Sequence, residues 1–499
     1  MNLQALLDGV EFLSVQGDAT VRGIDYDSRR IEEGFLFVAM RGESTDGNNY
    51  IDQAIARGAS AVVTDSVDQT PRKDVAWVVV PHGRRALAKL GANFYKRPAE
   101  KIRITGVTGT NGKTTTTFIV EAIFQAAGRK NALVGTVEYH LPGKILAAPH
   151  TTPESLELNQ LFNQALGVGA TEAVMEVSSH ALEQQRVNAI PFDVAVFTNL
   201  TRDHLDFHGT FENYFGAKRI LFEGCGTEPP RASVINIDDE YGKQLLKFSK
   251  KQGSEAFSYG LTTGDFHANN LQMTSSGNRF ELATPSGPIA LFSPLIGQVN
   301  VYNVIAACGA AFARGCTAEQ IANGIAKMSR VPGRFEKVDE GQPFAVVVDY
   351  AHTDDALKNL TRLAREFASR GGAKGKVITV FGCGGDRDRT KRPLMGEAAG
   401  KGSDYVVITS DNPRSEDPLN IINDSLSSLQ RTGTRYTAEP DRRKAIALAL
   451  SEANDQDIVL IAGKGHEKTQ TTRAGVFPFD DFQVASEELI RLGYKKDKQ

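Results

Sequence analysis

The run Ile104-Thr105-Gly106-Val107-Thr108-Gly109-Thr110-Asn111-Gly112-Lys113-Thr114-Thr115 has the residue types and order of a phosphate-binding loop. Gly109 and Gly112 would let the backbone N–H groups around Thr110 and Asn111 approach phosphate oxygens. A helix starting near Lys113 and Thr115 would add its positive end. Lys113 would reach the β- and γ-phosphates, and the Thr114 hydroxyl is a hard oxygen ligand suited to Mg²⁺. Gly106 stands six positions before Gly112, one more than the usual GxxxxGK spacing. The competing reading is a glycine-rich turn with no ligand, which the Gly-Lys-Thr triplet between an apolar strand and a helix disfavours. The loop predicts a nucleoside triphosphate without saying what its hydrolysis drives.

Other polar residues fall where strands are expected to end. Glu176 stands near the end of the strand expected at Ala173–Val177, and His204 lies in Asn199-Leu200-Thr201-Arg202-Asp203-His204-Leu205-Asp206. Ligands of α/β sheets bind beyond the carboxyl ends of strands, where a carboxylate and an imidazole could hold a metal beside phosphates. A single loop histidine is more often merely hydrogen-bonded. Lys218, on residue type alone, is one of many helical lysines and is expected in solvent. Three later strands run into the charged loops Gly382–Arg387, Ser410–Arg414 and Gly463–Glu467. One such loop would pass for a solvated rim. Three facing one crevice fit a ligand with both ammonium and carboxylate groups. Arg387 and Arg414 would fork onto carboxylates and Glu467 would accept from an ammonium.

The elements that must position these residues form an α/β pattern with mainly parallel sheets. Strand and helix signals alternate in three sections, predicting domains over residues 1–98, 99–331 and 332–499. The first reads helix (about 50–57), strand (Ala61–Thr64), strand (Val75–Val80) and helix (Arg84–Tyr95). The second opens with a strand at Ile102–Val107 and a helix from Lys113 to Ala127. Strands at Ala173–Val177, Val194–Thr198 and Ser233–Ile237 follow, and the section closes near Pro332-Gly333. The third reads strand (Ala345–Val348), helix (355–368), strands (Val377–Phe381, Tyr405–Thr409), helix (Arg442–Ala453) and strand (Ile458–Ile461).

With 499 residues and a net charge of −3, the chain gives no reason to expect nucleic acid or an anionic membrane as partner. Anionic substrates must be met by local basic residues. No apolar run approaches membrane-spanning length, and the N-terminal Met1–Leu13 does not read as a signal peptide. Cys225, Cys308, Cys316 and Cys383 form no CxxC pair, so reduced thiols and a cytoplasmic location are expected. Lys495-Lys496-Asp497-Lys498-Gln499 reads as a solvated end.

The string Thr108-Gly109-Thr110-Asn111-Gly112-Lys113-Thr114-Thr115-Thr116 resembles the ATP loop of the Mur ligases and of their relatives, the folylpolyglutamate synthetases. Asn199–Thr210 is similar to a Mur ligase signature, and Val348-Asp349-Tyr350-Ala351-His352 matches the family's DYAH loop. The resemblance spans all three sections. It implies a uridine-nucleotide-binding α/β domain, a central ATPase-like domain and a C-terminal Rossmann-like domain. It implies an ATP-dependent amide-bond ligase of cell-wall precursor synthesis acting through an acyl phosphate. Glu176 and His204 fall on Mg²⁺ positions. Lys218 falls on a lysine carbamylated by CO₂, and Asn303, Arg334, Asp349 and His352 on ATP contacts. Gly297-Gln298-Val299-Asn300 departs from the commoner GxHN pattern beside Asn303. Asp354 replaces the family's usual proline after Thr353, where an aspartate could cap the following helix.

Ser28, in Asp27-Ser28-Arg29, resembles the motif that holds the uridine-linked muramoyl peptide. Thr151, Thr152, Ser178, Gln184 and Arg186 align with residues that hold its dipeptide. Thr152-Pro153-Glu154 also reads as a helix start. Asp411-Asn412-Pro413-Arg414 resembles the signature of diaminopimelate-adding members, which implies Arg387, Asp411, Asn412, Arg414, Gly463 and Glu467 as the amino-acid site. The expected substrates are UDP-N-acetylmuramoyl-L-alanyl-D-glutamate, meso-diaminopimelate and ATP, with Mg²⁺, and a monomer is expected to suffice. Addition of L-lysine, or a nucleotide-switched binding protein, are the alternatives. An arginine left unpaired in the site would reject lysine.

Overall fold

The computed structural model describes residues 1–42, 45–274, 276–328, 330–369 and 374–495. Lys496–Gln499, expected as a solvated end, lie outside them. An N-terminal five-stranded sheet has the order Ser14–Gln16, Ala76–Val79, Ala61–Thr64, Phe35–Ala39, Gly23–Asp25 and is parallel except for its first strand. Helix Gly83–Phe94 packs on it through Ala86, Leu87 and Leu90, all buried.

The central eight-stranded sheet places Arg103–Thr108 between Phe192–Phe197 and Glu172–Glu176, parallel to both. The carboxyl ends of these strands lie side by side, so the loops that follow them share one edge. Glu172–Glu176 is buried along its whole length, as expected for a strand covered on both faces. Helix Lys113–Ala126 sits against Gln298–Ala313 and Ala318–Ala326. The Gly324 Cα lies so near the Ile123 backbone that a side chain there would collide with it.

The C-terminal six-stranded sheet runs Glu336–Val338, Ala345–Asp349, Ile458–Ala462, Val377–Phe381, Tyr405–Ile408, Arg435–Ala438 and is parallel apart from the first strand. Asp349 and the three charged loops therefore emerge from one edge. Helix Asp354–Ala368 buries Leu357, Leu360, Thr361, Ala364 and Ala368, an apolar stripe at helical spacing. Thr353, not Asp354, caps it by accepting from the Ala356 N–H; Asp354 instead pairs with Lys358. Pro153 likewise precedes its helix, Ser155–Gly167, whose N-cap is Glu154, rather than entering the first turn.

Hydrogen bonds join the central domain to the C-terminal one. Arg334 Nη2 donates to Thr114 Oγ1 at 3.0 Å, Asn111 Nδ2 to Asp355 Oδ2 at 3.1 Å, and Arg202 Nη2 to Thr390 Oγ1 at 3.0 Å. On the other side, Tyr26 donates to Glu157 at 2.9 Å and Arg84 pairs with Glu154 at 2.5 Å. The strands Ser14–Gln16, Gly23–Asp25 and Phe35–Ala39 and the antiparallel sheet His267–Thr274, Gly277–Ala283, Ile289–Ser293 have no counterpart among the sequence expectations. The four cysteines are buried and free, and no helix among the described residues is long and apolar enough to cross a membrane.

Candidate active site

The loop after Arg103–Thr108 adopts the conformation its glycines permit. Gly112 has φ +87°, and a Cβ there would meet Asn303 Oδ1, so this position needs glycine for both backbone and space. Asn303 is thereby held against the loop. Lys113 Nζ donates to Gly109 O and Thr110 O, both at 2.9 Å, and Asn199 Oδ1 accepts from the Asn111 N–H at 2.9 Å.

Lys218 is 1 % exposed, so the expectation of a solvated lysine fails. Its Nζ donates to the same Gly109 carbonyl at 2.9 Å and lies 4.4 Å from the centre of the Tyr214 ring. Burial, and next the charge of Lys113, hold this amine well below the usual lysine range, with Asp203 opposing. Burial lowers Lys113 as well.

Glu176 is 1 % exposed and accepts from Thr114 Oγ1 (3.1 Å), the Thr136 N–H (2.7 Å) and Thr136 Oγ1 (3.0 Å). Thr136 was missed by the sequence reading. Its signal was Gly135 at the end of Asn131–Val134, where a Cβ would come within 2.6 Å of Glu176 Oε1. His204, at φ +53°, faces Asp203 (Nε2 to Oδ2, 3.3 Å) and meets His180 edge to face. Desolvation in the cleft pushes its imidazole down to about 3, with Asp203 opposing and His180 and Lys218 assisting. It is neutral at physiological pH, with a ring nitrogen free of a proton. Among the described residues, no three His, Cys, Asp or Glu side chains converge as a ready metal site. Thr114 and Glu176 form one hard-oxygen pair, which suits Mg²⁺. Lys218, on the Gly109 carbonyl, is near enough to His204 for its charge to act on that imidazole.

Arg334 reaches Thr114 and lies over Tyr350, 4.7 Å from the ring centre. Asp349 accepts from the Phe335 and Ala351 N–H groups at 2.7 and 2.9 Å, which orients that segment. His352 Nδ1 contacts Tyr350 O at 2.8 Å, and its Nε2 is 3.9 Å from Asp203.

Four of the residues expected to hold the dipeptide hang on the strand that ends in Glu176. Thr152 Oγ1 donates to Glu176 O (2.8 Å) and accepts from the Ser178 N–H (3.1 Å). Arg186 Nη1 donates to Thr152 O (3.1 Å), and the Thr151 and Thr136 hydroxyls are 3.1 Å apart. Gln184 ends the helix Ser179–Glu183 next to them. Ser28 stands apart in the N-terminal domain, donating to Gln53 at 2.9 Å.

The three charged loops and the central domain enclose a cavity of about 270 Å³, lined among others by His204, His352, Arg387, Arg414, Gly463 and Glu467. Arg414 Nη1 donates to Gly385 O at 2.6 Å from a backbone at φ +52°. Arg387 donates to Asp386 O at 3.2 Å. Neither arginine has a carboxylate partner among the described residues, so both are available to one. Burial and then Arg387 lower the Arg414 guanidinium. Asn412 donates to Glu467 Oε2 at 2.7 Å. Lys464, fully buried and not singled out in the sequence, ties this corner together. It donates to Asn412 Oδ1 (3.2 Å), Glu467 Oε2 (3.1 Å) and Thr469 O (2.6 Å) and lies 3.9 Å from Asp411. Its signal was a basic residue between two glycines at a strand end.

Comparison with known proteins bears on the whole chain. Residues 20–95 match the Mur ligase family, catalytic domain; 107–311 the Mur ligase middle domain; and 333–465 the Mur ligase, glutamate ligase domain. The UDP-N-acetylmuramoyl-L-alanyl-D-glutamate–2,6-diaminopimelate ligase of Solibacter usitatus (strain Ellin6076) is 50% identical, with 99% of each chain covered. The same-named protein of Geobacillus thermodenitrificans (strain NG80-2) is 44% identical over 97% of this chain and 98% of its own. A solved structure of a ligase of that name superposes with a TM-score of 0.66 at 34% identity, covering 95% of this chain and 96% of the other. Three family models in the order of the three sheets, and full-length relatives at this identity, lead to one conclusion: the chain belongs to the Mur ligase family.

Proposed function

We propose that this protein is an ATP-dependent ligase that joins meso-diaminopimelate to UDP-N-acetylmuramoyl-L-alanyl-D-glutamate in the cytoplasm, giving the tripeptide, ADP and phosphate. The observation that carries the reading is the cavity between the central-domain segment with Asp203 and His204 and the three charged loops. There, two arginines without carboxylate partners among the described residues stand beside Glu467. Diaminopimelate bears a carboxylate and an ammonium at its far end, and Arg414 with Glu467 complements that pair. Residues 1–98 are assigned to the uridine-nucleotide end through Ser28, 99–331 to ATP and the dipeptide, and 332–499 to the amino acid.

A carboxylate is a poor acyl donor, so the D-glutamate carboxylate takes the γ-phosphoryl group of ATP, releasing ADP. The amine then attacks the acyl phosphate and phosphate leaves. Lys113, freed from the loop carbonyls, follows the charge on the transferring phosphoryl group, and Arg334 closes over it from the C-terminal domain. Thr152, Ser178 and Arg186 hold the dipeptide against the strand end that carries Glu176. Thr114, Glu176, His204 and Lys218 are assigned as the Mg²⁺ residues. When bound, the metal supplies Lewis-acid neutralisation of phosphate charge. Lys218 is assigned as a carbamate: its buried amine, held well below the usual lysine range, attacks the CO₂ carbon as the free base, one C=O electron pair moves to oxygen and the nitrogen gives a proton to water, turning an amine into an oxygen ligand.

The test is phosphate release with ATP, Mg²⁺ and the UDP-dipeptide, with meso-diaminopimelate or L-lysine in parallel. Release that requires diaminopimelate, with the tripeptide seen by mass, is the expected result. Release with lysine instead removes the reading of Arg414, and release with neither removes the reaction.

A further inference from the structure

Lys391 lines the same cavity and has no role in the assignments above. It is the first residue of helix Lys391–Gly402 and makes no ion pair among the described residues. The preceding Thr390 accepts from Arg202 of the central domain at 3.0 Å, which ties this helix start to the central-domain wall. The charge of Lys391 acts on His352, whose Nε2 is 3.9 Å from Asp203, and on Cys383 at the loop behind it. The Thr390–Arg202 contact and the shared lining place Lys391 at the end of the cleft that carries Asp203, His204 and His352.

The two cavity arginines occupy a different place. A Cβ built on Gly384 would lie 3.0 Å from Arg414 Nη1 and 3.7 Å from Arg387 Cγ, so both flank that one glycine at the C-terminal strand ends. An amino acid that reaches from there to an acyl phosphate brings a second ammonium and a second carboxylate to the near end. A carboxylate entering a partly buried cleft needs a cation, and an ammonium needs an acceptor. Lys391 is a cation at that end with no salt bridge among the described residues, and the Asp203 carboxylate, whose pKa its charge helps to hold down, lines the same cavity.

We propose that Lys391 receives the carboxylate beside the attacking amine of the amino-acid substrate, opposite Asp203, and so fixes the reacting head group. The assignment rests on the ligase reading above and adds a positioning residue at the near end of the amino acid.

The experiment compares Lys391→Ala and Lys391→Arg with the unaltered protein in two assays. In steady-state ligation, Lys391→Ala is expected to raise the KM for diaminopimelate about 10- to 100-fold, the range for losing a hydrogen bond to a charged group. The KM values for ATP and the UDP-dipeptide should stay within about twofold. Lys391→Arg should recover most of the loss. In the second assay, diaminopimelate is omitted and hydroxylamine traps the acyl phosphate as a hydroxamate, with release of phosphate. Lys391→Ala should still form the hydroxamate. An unchanged KM for diaminopimelate, or loss of hydroxamate formation in a variant that melts like the parent, overturns the proposal; the latter would place Lys391 at the phosphoryl group. Absence of hydroxamate and of amino-acid-dependent phosphate release in the unaltered protein would instead remove the ligase reading itself.

Discussion

Replacing Arg414 by alanine removes a guanidinium whose Nη1 is already committed to Gly385 O at 2.6 Å, leaving its remaining N–H groups for a substrate carboxylate. Arg414 sits at φ +52°, and alanine carries the same left-handed penalty as arginine, so the backbone cost is nearly unchanged. The loss should therefore fall on binding. Each hydrogen bond between charged partners contributes about 1.5–3 kcal/mol, and a forked pair therefore roughly 3–5 kcal/mol after desolvation. That corresponds to a fall of about 10²–10⁴ in kcat/KM for diaminopimelate. Arg414→Lys keeps the charge and loses the fork, so it should fall between the two. Coupled phosphate-release assays across a diaminopimelate series, repeated with L-lysine, read the effect. The decisive comparison is between substrates. L-Lysine has no distal carboxylate, so its weak use should be unchanged or improved. An equal loss with both amino acids, or a fall of less than about threefold with diaminopimelate, would refute the placement of the carboxylate on Arg414.

Other perturbations follow from groups already described. Lys218→Ala should abolish ligation while leaving the melting temperature near that of the parent, and added formate or bicarbonate should restore part of it; full activity would remove Lys218 from the site. Arg442 and Asp481 form a pair in which both side chains are fully buried, at 2.7 Å. Asp481→Ala should cost about 3–5 kcal/mol in urea unfolding, because it strands a buried guanidinium. His140 lies between Glu121 and Glu138; although burial opposes the charge, hydrogen bonds and attraction from the two carboxylates raise it to about 9. A folded value above the unfolded one of about 6.5 stabilises fully below that pH, and the contribution fades as pH rises through about 9. The unfolding free energy of the parent should therefore drop by up to about 3 kcal/mol over that window. His140→Gln should flatten the profile, and a parent profile that rises there would contradict the pairing.

The amino-acid order was enough to locate the phosphate loop, because glycines, a lysine and a threonine between a strand and a helix satisfy one local geometric demand. It likewise marked the parallel strands whose buried apolar runs stand out, such as Val377–Phe381 and Ile458–Ala462. Short first-domain strands of three residues, such as Ser14–Gln16, carry too few side chains for a period to register. The exposed edge strand His267–Thr274 has little buried face to betray it. Thr353 taking the cap that Asp354 was expected to fill shows the same limit at a single position, since either side chain can accept the hydrogen bond.

The candidate site divides along similar lines. Local sequence singled out Lys113, Thr114, Glu176 and Arg414 as candidates through motifs that lie within one loop each. Burial is a property of what packs from elsewhere, so only the tertiary structure took Lys218 out of solvent and set it with Lys113 on the Gly109 carbonyl. It also brought Thr136 onto Glu176, Lys464 beneath Asn412 and Glu467, and Lys391 to the interdomain cleft. Sequence determines which side chains can carry charge and which backbone turns are allowed. The desolvation that fixes their protonation, and the partners left over for a substrate, depend on strands from distant parts of the chain ending at one edge.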